Sequence, residues 1–414
     1  MNIALKNIKQ LVTVSANEKK IKRGNEMREL NIIENAGLIA EEGKIKWLGT
    51  MNDFPKNLSE DLEILGCENC VVMPGFVDAH THLIFGGSRE SEFAMRSSGA
   101  TYQEIAASGG GIISTVSKTR EATKLELKKR ARHYLSQMLK HGTTTVETKS
   151  GYGLDFKNEI KLLECARELE REELTTIVST FLGAHSFPLE YKERKSEYVQ
   201  LVMEEMIPYI GGKKLAEFCD VFCETNYFSV DDTRKILSKA KEYGMKLKLH
   251  AEELSNLGGA ELAAELNAVS VDHLEHISEN GIRALQNSET VAVLLPGVSF
   301  NLNHQYAPAR TLIDAQIPVA IASDFNPGSC MSYSMPLMMT IACTQMRMSP
   351  EEVIVASTLN AAAAIARSKT IGSLEVGKNA DIIVLDIPNY KFLPYHFGEN
   401  HVRNVIKNGV QLDF

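Results

Sequence analysis

The sequence predicts an α/β fold: a (β/α)8 TIM-like barrel with a small β-sandwich domain built from both chain termini. Three observations predict it. Eight short apolar runs recur through the middle of the chain, with helix-periodic segments between several of them. Both ends have a different, turn-rich β texture. Histidines and carboxylates gather where the apolar runs stop, and a barrel brings those points to one rim.

Residues 1–70 alternate imperfectly between apolar and polar side chains at 6–14, 29–34, 37–41 and 44–48, with glycines and asparagines between. Residues 368–414 repeat the pattern, with a turn-rich stretch at 372–381, the run Ile382-Ile383-Val384-Leu385 and a turn-separated pair over 402–412. Two β-rich ends around a different middle imply one domain made of 1–70 and 368–414, leaving 71–367 for the barrel.

In that middle part, strand-like runs occupy 77–82, 143–147, 176–182, 219–223, 246–250, 269–273, 291–295 and 318–322. Apolar residues at three- and four-residue spacing predict helices at 121–139, 158–173, 231–243 and 278–285. Ser349-Pro350-Glu351-Glu352 is a helix start, with a capping serine, proline at the first helical position and glutamates at the positive end of the dipole. Eight such units fit a barrel of the usual size, about 250 residues with room for insertions. An open doubly wound sheet would not oblige the chemical residues to cluster at every strand end.

Bulk properties narrow the function. Of 414 residues, 44% are hydrophobic and 24% charged, the composition of an ordinary globular protein. A net charge of −8 argues against a nucleic-acid partner. No apolar run approaches bilayer length, and residues 1–16 lack the order of a signal peptide, so no membrane partner and a cytoplasmic location are expected. Seven thinly spread cysteines do not form a disulfide framework. Cys67-Glu68-Asn69-Cys70 lacks a second pair to complete a zinc knuckle and reads as two reduced thiols near a domain junction.

The chemistry centres on Pro74-Gly75-Phe76-Val77-Asp78-Ala79-His80-Thr81-His82. Alternation along a strand puts His80 and His82 on one side, close enough to share an ion. His250 and Asp324 end the fifth and eighth runs. Together these four offer three neutral nitrogens and a carboxylate, enough for one divalent metal with a position left for water. Such an ion lowers the pKa of water from 15.7 to about 7. The set suits zinc and iron, Zn2+ or Fe (2+/3+), alike. Asp324 can pass a proton from water to a leaving nitrogen, and His273 can hydrogen-bond the nucleophile or the polarised oxygen, together with other acid–base groups worth roughly 10²–10⁴-fold.

Around this centre lie Lys149-Ser150-Gly151-Tyr152-Gly153 after the second run, Gly183-Ala184-His185 after the third, and Glu252 and Glu253 after the fifth. Lys149 reads as a residue that holds the loop or the carboxylate side of the site, and His276 as a supporting or helix-start histidine. Arg89, seven residues past His82, can pair bidentately with a substrate carboxylate. Ser108-Gly109-Gly110-Gly111 has the freedom for a lid or close backbone approach. Asn326, Gly328 and Ser329 must lie near the ion if Asp324 does.

At 74–82 the chain resembles the metal-dependent amidohydrolase superfamily. Ser108 to Ile112, Thr145 to Asp155, Leu182 to Tyr191, His250 to Gly259 and Ser323 to Ser329 are similar to the imidazolonepropionase family of histidine degradation. These stretches are long, keep their order and span the barrel. The resemblance implies hydrolysis of 4-imidazolone-5-propanoate to N-formimidoyl-L-glutamate, with one zinc or iron ion at His80, His82, His250 and Asp324. It implies substrate contacts from Arg89, Tyr152, His185, Glu253, Asn326, Gly328 and Ser329, catalytic roles for Asp324, His273 and Glu253, and a homodimer. Ser186, Thr148 and Phe325 depart from the commoner choices, and none is an expected ligand. Motif alignment selects Glu253, whereas a strand running straight on from His250 would favour Glu252. Related two-metal enzymes carry a modified lysine on strand four, and residues 219–225 hold none, so one ion is expected. Two other readings compete: a deaminase of the same superfamily acting on a nucleobase-like ring, and a non-catalytic relative. The first lacks a use for a carboxylate clamp, and the second would have lost ligands that are all present here.

Overall fold

The computed structural model describes residues 2–17, 19–58, 61–100, 104 and 109–413. The N-terminal strands are β1 (Asn2–Val12), β2 (Ile32–Glu41), β3 (Lys44–Thr50), β4 (Leu62–Gly66) and β5 (Val71–Pro74). The barrel strands follow as β6 (Phe76–Asp78), β7 (Thr143–Lys149), β8 (Thr176–Ala184), β9 (Phe218–Cys223), β10 (Lys246–Ala251), β11 (Ser270–His273), β12 (Val291–Leu294) and β13 (Val319–Ile321). The chain then returns to the first domain with β14 (Ile382–Leu385), β15 (Val402–Lys407) and β16 (Val410–Leu412).

The terminal strands form one connected mixed sheet in the order β16-β15-β14-β5-β1-β2-β3. Strand β1 is the branch point: its residues 2–6 pair with β4, and Gln10 and Leu11 pair with β5. Leu5, Leu11, Leu38, Val72, Ile382 and Ile406 share one buried cluster, so strands from both ends of the chain enclose a common core. One boundary moves. Strand β5 lies within the 71–367 span expected for the barrel, yet it pairs with β1 and β14, and the chain enters the barrel at β6. Cys67 and Cys70 are free thiols buried in the same cluster, where burial pushes the Cys67 thiol up to about 12.

The eight barrel strands pair in chain order, all parallel from β6 to β13. The strands are buried, and β8, β12 and β13 are the apolar runs expected of a strand covered on both faces, whereas β7 is threonine-rich and β10 and β11 carry charged residues. The helix at Pro350–Ala356 carries the expected capping box of Ser349 and Glu352. The helix expected at 121–139 begins later, at Lys124, because Thr123 and Glu126 form a capping box there. Among the described residues no helix is long and apolar enough to cross a membrane.

The first barrel strand is shorter than expected and ends at Asp78, so His80 and His82 lie just beyond it. Single hydrogen bonds replace the ladder. Lys149 N donates to Thr81 O at 2.9 Å, Asp324 N to His80 O at 3.0 Å and His82 N to Phe325 O at 2.9 Å. The buried Asp78 carboxylate also accepts from Ser323 N at 3.0 Å. The first of these bonds extends the pairing of β6 with β7, and the others close the barrel between β13 and β6 and set Asp324 beside the two histidines.

Candidate metal centre and active site

The four expected ligands meet. His80, His82 and His250 offer ring nitrogens within 4.8 Å of one another, and His80, His273 and Asp324 form an overlapping trio within the same limit. Asp324 Oδ1 lies 3.4 Å from His80 Nε2 and 3.5 Å from His82 Nε2. His80 Nε2, His250 Nε2 and Asp324 Oδ1 are buried without any hydrogen-bond partner. An orphaned buried polar atom costs about 1–3 kcal/mol, and three aimed at one point need a shared partner. A divalent cation is the partner this donor set fits.

The other ring nitrogens of His80 and His250 are already engaged, whereas His82 Nδ1 has no partner. His80 Nδ1 lies 2.6 Å from Asp272 Oδ2, and His250 Nδ1 lies 3.0 Å from Asp220 Oδ1. A carboxylate accepting from Nδ1–H leaves the Nε2 lone pair free for a metal. Burial pulls the pKa of His80 and His82 well below its ordinary value, which keeps both rings neutral as ligation requires. We expect Asp272→Asn to weaken metal binding by about 10–100-fold, read as loss of metal to a competing chelator.

Lys149 takes the carboxylate-holding role. Its Nζ lies 2.8 Å from Glu147 Oε1, 2.9 Å from Asp220 Oδ2 and 3.6 Å from Asp272 Oδ2, all side chains fully buried. Burial works against the ammonium, but Asp220, Glu147 and Asp272 outweigh it and raise its pKa. For Asp220, burial is outweighed in turn by His250 and Lys149, which hold the carboxyl far below its usual range. The lysine therefore neutralises the two carboxylates that orient His80 and His250.

Above the centre opens a cavity of about 860 Å³ whose lining includes Arg89, Tyr152, His185, Glu253, His273, Asn326, Gly328 and Ser329. Arg89 immediately precedes the helix Glu90–Ser97, and its Nε donates to Glu92 Oε2 at 3.0 Å. Added to Gly328, a Cβ would sit 2.2 Å from Arg89 Nη1, so the glycine makes room for the guanidinium. Tyr152 and His185 flank His82, with ring centroids 5.5 and 4.9 Å away, the second stacked at 18°. Asn326 organises the turn: its Oδ1 accepts from Gly328 N at 2.7 Å and Ser329 N at 2.9 Å. Ser329 Oγ then donates to Asp324 Oδ2 at 3.1 Å.

The choice between Glu252 and Glu253 turns on backbone conformation. Glu252 has φ +57°, which breaks strand alternation, and its Oε1 accepts from Ala260 N at 3.1 Å. It braces the helix Gly259–Leu266 while Glu253 lines the cavity. Burial, reinforced by Asp324, pushes the Glu253 carboxyl up to about 8. His273 and Asp324 also leave their strands at positive φ, +83° and +48°. Left-handed backbone in non-glycine residues is uncommon and concentrates at functional sites. His273 Nε2 lies 3.6 Å from Glu253 Oε2, and its Nδ1 lies 3.7 Å from Glu275 Oε2.

One expected participant stands apart. His276 is exposed and meets Gln305 Nε2 at 3.2 Å through Nδ1. Of the glycine-rich stretch, Ser108 lies outside the described residues, and Gly111 lines the cavity, its N donating to Glu92 Oε1 at 3.1 Å. Glu147, Asp220, Asp272 and Glu275 were not singled out from the sequence. The available signal was a charged residue inside or beside an apolar run, as at Asp220 within Phe218–Cys223, because such residues are buried only when paired.

Residues 71–412 match the profile of the Amidohydrolase family. The chain is 49% identical over 409 residues to the imidazolonepropionase of Clostridium tetani, covering 99% of this chain and 97% of that protein. It is 48% identical over 411 residues to the imidazolonepropionase of Porphyromonas gingivalis strain W83, covering 99% and 97%. Among solved structures, the guanine deaminase of E. coli superposes with a TM-score of 0.76 at 14% identity, covering 100% of this chain and 99% of that one. A zinc-bound adenosine deaminase from Xanthomonas campestris gives 0.72 at 16% identity, covering 99% and 92%. At these identities the structural likeness concerns the fold.

Proposed function

Since this chain belongs to the amidohydrolase family, and within it to the imidazolonepropionases, we propose that it opens the ring of 4-imidazolone-5-propanoate at the cyclic amide to give N-formimidoyl-L-glutamate. It is a hydrolase acting on a carbon–nitrogen bond. His80, His82, His250 and Asp324 would hold one divalent ion, zinc or iron. Such an ion supplies Lewis acidity and a water that ionises near neutral pH.

The protein's own groups do the rest. Arg89 pairs with the propanoate tail and fixes the ring over the site. Tyr152 and His185, beside His82, bound the ring's face, and the turn of Asn326, Gly328 and Ser329 bounds its edge. Asp324 takes a proton from the attacking water and returns it to the ring nitrogen as the carbon–nitrogen bond breaks. His273 and Glu253, in mutual contact, hydrogen-bond the carbonyl oxygen and the ring nitrogens. Water adds its oxygen to the carbonyl carbon and its protons to the departing nitrogen, so the amide becomes a carboxylate and an N–H. The same reading carries a homodimer working in the cytoplasm, and light scattering tests the dimer.

The observation that carries this proposal is the convergence of three unpartnered buried ligand atoms beneath a cavity walled by Arg89. Elemental analysis of purified protein, with an ultraviolet assay of imidazolone loss, tests it. About one metal per chain and ring opening are expected. No bound metal and no hydrolysis after reconstitution would remove the proposal, and turnover of a purine or pyrimidine without the imidazolone would replace it with a deaminase. Arg89→Ala is expected to raise KM by about 10–100-fold, as loss of a charge-assisted hydrogen-bonded pair does. An unchanged KM would refute the clamp.

A further inference from the structure

Glu159 is a fully buried carboxylate that the hydrolytic scheme does not use. It sits in the first turn of the helix Phe156–Glu172, where a carboxylate would ordinarily cap the helix. Asp155 already does that, accepting from Asn158 N at 2.7 Å. The Glu159 side chain reaches instead into the loop that follows β7. Its Oε1 accepts from Gly153 N at 2.7 Å and Leu154 N at 2.8 Å, and its Oε2 accepts from Gly151 N at 3.1 Å. One side chain thus gathers three backbone donors on either side of Tyr152.

The loop's carbonyls are fixed from the other direction. His185 Nδ1 donates to Gly151 O at 3.0 Å, and Arg120 donates to Gly153 O at 2.7 Å and Leu154 O at 3.0 Å. The loop holds one disfavoured residue: Gly151 takes φ +102° freely, but Leu154 sits at φ +49°, a conformation that non-glycine residues adopt only when held. A Cβ on Gly153 would meet Glu159 N at 2.4 Å, so the glycine permits the close approach. Burying a charged group is costly unless it is fully hydrogen-bonded, and every bond here serves the loop.

We propose that Glu159 is a positioning residue for substrate affinity: by gathering the N–H groups of Gly151, Gly153 and Leu154 it fixes the backbone on either side of Tyr152, and His185 through the Gly151 carbonyl, at the cavity wall. This rests on the reading of Tyr152 and His185 as substrate contacts. It assigns Glu159 to binding, apart from the metal and from proton transfer, because none of its bonds reaches His80, His250 or Asp324.

The test compares wild type, Glu159→Gln and Glu159→Ala by steady-state kinetics on the imidazolone, metal content, thermal melting and calorimetric binding of imidazole-4-propanoate, a ring with the same tail that is not hydrolysed. Gln keeps the acceptor oxygen that serves Gly153, Leu154 and, at 3.2 Å, Gly151, and replaces the second acceptor, 3.1 Å from Gly151 N, with an N–H donor. It is expected to raise KM and the calorimetric Kd by about threefold to tenfold, the equivalent of one hydrogen bond. Metal content should stay at the wild-type level and kcat close to it. Ala should shift KM further in the same direction. If Ala fails to fold, Gln alone decides the matter. Wild-type KM and Kd in a cooperatively folded Gln variant would overturn the proposal, as would a fall in kcat with metal loss and unchanged KM. A wild type that binds imidazole-4-propanoate without turning over the imidazolone would defeat the functional reading, while the binding comparison would still decide the role of Glu159.

Discussion

Asp324→Asn is expected to lower kcat by about 10³-fold or more, within the range of a lost acid–base group compounded by a lost ligand. The two roles converge on one side chain: Oδ1 faces the histidine nitrogens at 3.4 and 3.5 Å, and Oδ2 rests on Ser329 Oγ. Asparagine keeps the shape but cannot carry the proton. The fold should survive, because the bond that positions this residue in the barrel, Asp324 N to His80 O, belongs to the backbone. In the metal-free protein the substitution should even favour folding at alkaline pH. Burial raises the Asp324 carboxyl from 3.8 to about 7, so the folded state disfavours the charged form. A carboxyl with a raised folded pKa lowers stability as pH rises above 3.8, and its penalty is complete above about 7. At pH 8 metal-free Asp324→Asn should therefore melt no lower than metal-free wild type. Turnover near the wild-type rate would take Asp324 out of the mechanism. A much lower melt would show that the carboxylate holds the fold together.

How far the site could be read from sequence depended on where each residue sits relative to a strand. His80, His82, His250 and Asp324 stand at the ends of apolar runs, and the barrel topology alone converts those four positions into one place. The residues that orient them do not stand at ends. Asp220 and Asp272 lie inside β9 and β11 and Glu147 inside β7, whereas Lys149 ends β7 and was the one member of the group read from sequence. Their pairings cross from strand to strand, and no spacing along one chain segment encodes them. Backbone conformation was equally hidden. Periodicity assumes continued alternation after His250, whereas φ +57° at Glu252 reverses which glutamate faces the cavity. At β5 a four-residue apolar strand fits either domain by composition, and only its pairing with β1 and β14 settles the matter.

Lys149→Met is expected to destabilise the metal-free protein by about 3–5 kcal/mol, the cost of removing one partner from a buried charge cluster. The mean effect of a core substitution is smaller, so the size itself is diagnostic. Methionine replaces the methylene stem well enough that packing contributes little. What remains is electrostatic: Glu147, Asp220 and Asp272 stay fully buried without their common cation. The pH dependence follows from the sign of the Asp220 shift. Its folded pKa is depressed, partly by Lys149, so it contributes stability that is whole above the ordinary carboxylate range and is lost as pH falls from that range toward the depressed folded value. The variant has lost the lysine's share of that contribution, and the stability gap between the two proteins should narrow as pH drops. Metal binding should weaken in parallel, because Asp220 and Asp272, which accept from the Nδ1 of His250 and His80, lose the cation that holds them in place. Denaturant unfolding of both proteins at several pH values checks the first part, and chelator competition checks the second. A gap below about 1 kcal/mol, or one constant with pH, would mean that the carboxylates do not depend on Lys149 for their charge.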